Sequence, residues 1–194
     1  MTTRAPTRRL FVAIPLGPEV RTALHAAAAE LRAAAPAITW TAAERLHLTV
    51  KFLGDVPEPQ VAECEAAVLA AARNHRDVPL VVRGAGVFPT PARPRVVWAG
   101  VESDPRLELL HHDVEEAFAR LGMPVEGRPF RPHVTLARVK RPLDAGSRRA
   151  LAKALAAFAF EDEGTASSLD LMQSTLTQNG PSYRCLSSAS LRAR

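Results

Sequence analysis

Apolar positions along the chain switch between two periods. A continuous apolar run predicts a buried strand over residues 10–14. Over 18–34, Val20, Leu24, Ala27 and Leu31 recur at helical spacing behind Pro18, which suits the first turn of a helix. Residues 46–53 alternate with period two and predict a strand. A helix is predicted over 58–73 and a strand over 80–88. The same order then returns. Residues 95–101 predict a strand. Residues 104–121 predict a helix capped by Asp104, opened by Pro105 and followed by Gly122. A strand over 133–139 and a helix over 144–158 come next. Two or three strands close the chain, near 167–176 and 183–191, with Gly180-Pro181 predicted as the turn between the last two.

The recurrence is an internal repeat. One spacing separates Pro18 from Pro105 and Phe11 from Trp98. A spacing one residue shorter separates His47 from His133 and Glu58 from Asp144. Two copies of a strand–helix–strand–helix unit, about 8–88 and 95–176, are therefore expected to form one bilobal domain over 1–194. Residues 86–94, with three prolines, are the natural junction, and strands over 167–191 form a terminal hairpin. Equivalent residues of the two copies should face each other across a cleft.

The two central strands read His47-Leu48-Thr49-Val50 and His133-Val134-Thr135-Leu136. Alternation places His47, Thr49 and Lys51 on one face and Leu48, Val50 and Phe52 on the other. Likewise, His133 and Thr135 oppose Val134 and Leu136. Two imidazoles and two hydroxyls are expected around one pocket. An imidazole titrates near neutrality, so one ring can take a proton while the other gives one. The threonine hydroxyls can donate to phosphate oxygens. Basic residues extend the candidate phosphate or substrate contacts to Lys51, Arg131 and Arg138. Strict alternation puts Arg138 on the wrong face, from which a strand-end twist would have to return it. Arg45 shares the His47 face, and Arg93 and Arg95 at the junction could guide a nucleic-acid strand. His25, His75 and the His111-His112 pair lack a facing partner in the pattern and read as ordinary. Neither they nor Cys64 and Cys185 have metal-site spacing, so no metal and no other cofactor is expected.

Composition adds bounds. With 47% hydrophobic residues, general disorder is excluded. No apolar run approaches the ~20 residues of a membrane span, and residues 1–10 have no apolar segment of a secretory signal. Cys64 lies on a helical face with Val61 and Val68, as a small hydrophobe. A reduced, cytoplasmic protein is expected, with no membrane partner. The net charge of +5 favours an anionic partner, although the preponderance of arginine over lysine also fits a general compositional bias.

At these motifs the sequence resembles the two-histidine (2H) phosphoesterases, and within them the bacterial and archaeal RNA 2′,3′-cyclic phosphodiesterases first named 2′–5′ RNA ligases. The resemblance runs through Arg9-Leu10-Phe11-Val12-Ala13-Ile14 and Leu46-His47-Leu48-Thr49-Val50-Lys51-Phe52-Leu53-Gly54. It continues through Val96-Val97-Trp98-Ala99-Gly100 and Phe130-Arg131-Pro132-His133-Val134-Thr135-Leu136-Ala137-Arg138. Gly180-Pro181-Ser182-Tyr183 falls where that family has its late hairpin. The resemblance implies an α+β fold of two pseudo-symmetric lobes, each an antiparallel sheet with helices on its outer face, around a central cleft. It implies hydrolysis of an RNA terminal 2′,3′-cyclic phosphate to a 2′-phosphate, with His47 as proton donor, His133 as proton acceptor, and Thr49 and Thr135 on the phosphate. The partner implied is RNA bearing that end, met by a monomer. Ligation of tRNA halves through a 2′–5′ linkage, another cyclic-phosphate substrate, and a non-catalytic RNA-binding module are the competing readings.

Overall fold

A computed structural model describes residues 6–177 and 180–192. Its strands are β1 (Thr7–Pro15), β2 (Thr39–Trp40), β3 (His47–Pro57), β4 (Val78–Thr90), β5 (Arg93–Val101), β6 (His133–Arg138), β7 (Glu161–Ala166), β8 (Ser168–Thr177) and β9 (Gly180–Ser190). Its helices are α1 (Pro18–Ala27), α2 (Ala29–Ala34), α3 (Val61–Ala72), α4 (Pro105–Ala119) and α5 (Ala145–Ala156). The long strands hydrogen-bond in the order β7-β4-β5-β6-β3-β1-β8-β9, and β2 adds to β6. Every ladder between these strands is antiparallel. The expected α+β class is the observed one.

The order is a palindrome of equivalents. Lobe 1 is β3-β1-β8-β9 and lobe 2 is β6-β5-β4-β7, and they meet at a single pair, Leu48 with Val134. Both side chains are fully buried beneath that joint. Burial of such a side chain stabilises by about 1.5–3 kcal/mol, so the point where the lobes meet is also a point where the core holds them. The repeats exchange strands. β4 follows the first His strand in sequence but pairs with β5 in lobe 2, whereas β8 follows the second and pairs with β1 in lobe 1. Residues 86–94 accordingly form the β4–β5 hairpin, inside one lobe rather than between two.

One core serves both lobes. Val20, Leu24 and Leu31 of the first two helices, Cys64 and Val68 of α3, Leu107, Leu110, Val114 and Phe118 of α4, and Leu151 of α5 pack with the inward residues of the strands. The helices cover one sheet face and leave the other open.

Several boundaries differ from the sequence reading. The helix expected over 18–34 divides at Ala28, where the Arg32 guanidinium donates to the His25 carbonyl (2.7 Å), the group a continuous helix would offer to residue 29. Residues 58–60 form a 3₁₀ turn, and the helix proper begins at Val61. Asp104 caps its helix as expected, accepting from the Arg106 amide (2.8 Å), Asp144 does the same for α5 through the Ser147 amide (2.9 Å), and Gly122 takes the left-handed conformation (φ 78°) beyond α4. Two strands were not foreseen. β2 is two residues long, and β7 is an edge strand of charged and small residues with no apolar alternation to read. Gly180 and Pro181 open β9, paired with Thr177 and Leu176, instead of forming the turn. The connection falls on residues 178–179, outside the described residues.

Candidate active site

Both histidine strands carry a β-bulge at the same motif position. Opposite β1, Thr49 pairs with Ala13 and Lys51 with Val12, so Val50 is the extra residue. Opposite β5, Thr135 pairs with Trp98 and Ala137 with Val97, so Leu136 is the extra residue. An extra residue reverses the alternation beyond it. Before the bulge, His47, Thr49, His133 and Thr135 lie half-buried on the open face, as expected. After it, the predicted faces invert.

Lys51 is therefore not a phosphate contact. It is buried (6% exposed), and its Nζ donates to Glu115 of α4 (2.7 Å) and to the Pro124 carbonyl (2.9 Å). Phe52 takes the open face instead, 65% exposed, with its ring 6.1 Å from that of Phe11. Arg138 stands at the matching position of lobe 2 and is exposed on the open face. The bulge, not a strand-end twist, returns it. The bulges also correct the repeat. Ala13, not Phe11, is the equivalent of Trp98, since these are the residues facing the two threonines.

The single joint pair sets the register between the histidine strands. With Leu48 opposite Val134 in antiparallel sense, His47 lies across from Thr135 and His133 across from Thr49. Each imidazole is clamped alike. His47 Nδ1 donates to the Arg45 carbonyl (2.7 Å), and His133 Nδ1 donates to the Arg131 carbonyl (2.8 Å). A carbonyl can only accept, so the Nδ1 proton is fixed on both rings and Nε2 is the nitrogen left to exchange protons. Arg131 thus contributes its backbone, and its side chain is exposed.

Aromatic rings hold the imidazoles from the side. Phe11 stacks on His47 (5.1 Å, 30°) and Tyr183 meets it edge-on (5.3 Å, 89°). Phe88 meets His133 edge-on (5.1 Å, 82°) and packs on Trp98. Burial lowers the pKa of His47 below its ordinary value. The Arg45 carbonyl opposes this, while the charges of Arg138 and His133 lower it further. His133 is lowered by burial, supported by the Arg131 carbonyl and lowered again by Arg138. Arg138 therefore acts on both rings, and an anion bound beside it would offset that action.

The Thr49 and Thr135 hydroxyls make no hydrogen bond to another described residue, so both are available to a ligand. Arg45 is half-buried, and its guanidinium donates to the Pro181 carbonyl (2.7 Å), tying the β9 hairpin end to the turn that precedes His47. Tyr183 is the contact that the motif reading missed. Its signal was in plain view, as the chain's one tyrosine beside Gly180-Pro181-Ser182. The remaining histidines lie elsewhere. His75, expected to lack a facing partner, is buried and joined to Asp113 (2.8 Å), and His111 stacks on Phe130 (4.0 Å). Among the described residues no group of three or more His, Cys, Asp or Glu could hold a metal ion. Both cysteines are free, Cys64 buried and Cys185 exposed. No described helix is long and apolar enough to cross a membrane.

Known proteins resemble this chain in sequence and in fold. A relative from Aeropyrum pernix, named RNA 2′,3′-cyclic phosphodiesterase, is 40% identical over 146 residues, covering 74% of this chain and 80% of its own. One of the same name from Thermus thermophilus is 35% identical over 191 residues, covering 95% and 90%. A third, from Geobacillus stearothermophilus, is 37% identical over 128 residues, and the match spans 66% of this chain and 41% of that longer one. Among solved structures, a protein of Thermus thermophilus superposes with a TM-score of 0.78 at 31% identity, over 96% of this chain and 99% of its own. Apo LigT of E. coli gives 0.71 at 25% identity, over 97% and 99%. The sequence model of the 2′-5′ RNA ligase superfamily matches residues 15–177, and with these relatives it establishes that the chain belongs to that superfamily, the two-histidine phosphoesterases.

Proposed function

We propose that this chain hydrolyses the 2′,3′-cyclic phosphate end of RNA to a 2′-phosphate, with His133 as proton acceptor and His47 as proton donor. The observation that carries the reading is the matched clamp. Two imidazoles with Nδ1 fixed and Nε2 free flank one strand joint, and Arg138 acts on both. Relatives named for this activity, and LigT of E. coli crystallised with 3′-AMP or with phosphate, support the substrate class.

Water approaches the phosphorus from the His133 side and gives its proton to Nε2. The new P–O bond forms as the P–O3′ bond breaks, and O3′ takes its proton from Nε2 of His47. The phosphate remains on O2′. Thr49, Thr135 and Arg138 donate to the non-bridging oxygens, where charge develops. Phe52 presents a free aromatic face on which the terminal base can stack, an interaction tolerant of base identity. The donor and acceptor of protons are both imidazoles of one chain, so a monomer suffices and activity persists in EDTA. Assigning His47 rather than His133 as donor rests on the family resemblance.

The test is incubation with RNA ending in a 2′,3′-cyclic phosphate and identification of the terminus. A 2′-phosphate is expected, and His47→Ala and His133→Ala should each lower kcat/KM by about 10²–10⁴-fold. A 3′-phosphate product, accumulation of joined RNA in place of hydrolysed ends, or unchanged turnover in either variant would overturn the reading.

A further inference from the structure

A cavity of about 230 Å³ opens beside His47 on the lobe 1 flank. Ala13, Asp170, Arg21, Arg45, Tyr183 and Cys185 are among the residues that line it. The equivalent place in lobe 2 is filled. The row of paired residues leading away from Thr49 is Ala13 then Asp170, whereas the row leading away from Thr135 is Trp98 then Gly86. The Trp98 ring lies over Gly86 so closely that a Cβ there would collide with it. One flank of the cleft is open and lined in part by charged side chains, the other closed and aromatic.

We propose that this cavity seats the nucleotide on the 5′ side of the cyclic end, making the preferred substrate an oligonucleotide rather than a mononucleotide. The inference rests on the cyclic-phosphate reading above. The cyclic phosphate occupies both O2′ and O3′ of the terminal ribose, so the RNA leaves that ribose only through its 5′ oxygen. His47, which serves O3′, also lines the cavity. The exposed Phe52 ring provides for the terminal base. The volume is below the ~300 Å³ of a site enclosing a drug-sized ligand, so it suits one base rather than a dinucleotide. The lining suits a nucleotide unit. Arg21 and Arg45 form no ion pair with a carboxylate among the described residues, which leaves both charges for the bridging phosphate. Asp170 accepts from the Ser188 hydroxyl on one oxygen (2.6 Å) and keeps the other for a base N–H. Glu44 also lines the cavity, its side chain exposed to solvent.

Two measurements test this. The first compares kcat/KM for a dinucleotide ending in 2′,3′-cyclic phosphate with that for the matching 2′,3′-cyclic mononucleotide. The wild-type ratio should lie in the roughly 5- to 150-fold range set by seating one base. Ala13→Trp, which copies the lobe 2 filling, and Arg21→Ala, a half-exposed position outside the core, should each bring the ratio toward unity. A wild-type ratio near one, or a ratio unchanged in Arg21→Ala, overturns the inference and leaves the cyclic-phosphate reading intact. Failure of the wild-type protein to hydrolyse either substrate overturns both. The second uses Cys185 as a reporter, since Cys64 is fully buried. The dinucleoside 2′-phosphate should slow iodoacetamide alkylation of Cys185 several-fold, and the mononucleoside 2′-phosphate should not. Equal protection by the two, or none by either, counts against the cavity as the seat.

Discussion

The two lobes share a strand, a bulge and a histidine clamp, yet they put different chemistry into equivalent places. Beyond the bulge, lobe 1 sends a lysine inward and a phenylalanine outward. Lobe 2 sends an alanine inward and an arginine outward. Beside the threonines, lobe 1 has Ala13 and Asp170 with a cavity, and lobe 2 has the Trp98 ring packed over Gly86. At the motif itself the histidine and the threonine are the same on both sides. Symmetry therefore supplies paired imidazoles and hydroxyls, and departure from symmetry makes the flanks unlike: a cation on one, an exposed ring and a cavity on the other.

The comparison breaks most severely at the inward position after the bulge. Lys51 and Glu115 are both buried, so Lys51→Met removes the ammonium that neutralises Glu115, leaving it the Glu126 amide (3.1 Å) and the His111 ring (3.7 Å), and should cost about 3–5 kcal/mol. Urea unfolding would read this, and Lys51→Met with Glu115→Leu should recover much of the loss. A single variant with wild-type stability would mean that the pair contributes nothing. The outward position comes next. Arg138→Ala removes one charged donor and should lower kcat by about 10²–10³-fold. One imidazole must be charged and the other neutral, so the pH profile of kcat/KM should be bell-shaped, and the substitution should also displace it. The guanidinium depresses both histidines, so without it each holds its proton to higher pH and both limbs move alkaline. An unmoved profile would separate Arg138 from the rings. On the closed flank, Gly86→Ala forces the Trp98 ring aside and should destabilise by about 1–3 kcal/mol in thermal unfolding. The smallest contrast is in the helices that follow the first strands of the repeats. α4 has a side-chain cap and α1, opening at Gly17, has none, so Asp104→Ala should cost about 1 kcal/mol of stability.

Much of the architecture was legible because its signals are local. Periodicity located all the long elements, the proline and aspartate caps located helix starts, and the repeat paired His47 with His133 before any coordinates. Lys51 was misread because alternation is a rule for regular strands, and a bulge is visible only in the pairing of two strands. The matching bulge at Leu136 of β6 brings Arg138 to the open face. Phe11 was matched with Trp98 by spacing, whereas the ladders match Ala13 with Trp98, a displacement that sequence spacing cannot detect. β7 carries no apolar stripe because a sheet edge does not require one.

The sequence by itself determined the α+β class, the duplicated unit and the two H-x-T strands that hold the imidazoles and hydroxyls, because side-chain period and residue chemistry are properties of short stretches of chain. Tertiary structure decided which strands each lobe owns, which residues cross to the other face beyond the bulges, and which flank of the cleft stays open. Those outcomes depend on how ladders register and how rings fill space between segments far apart in the chain, and no single segment encodes them.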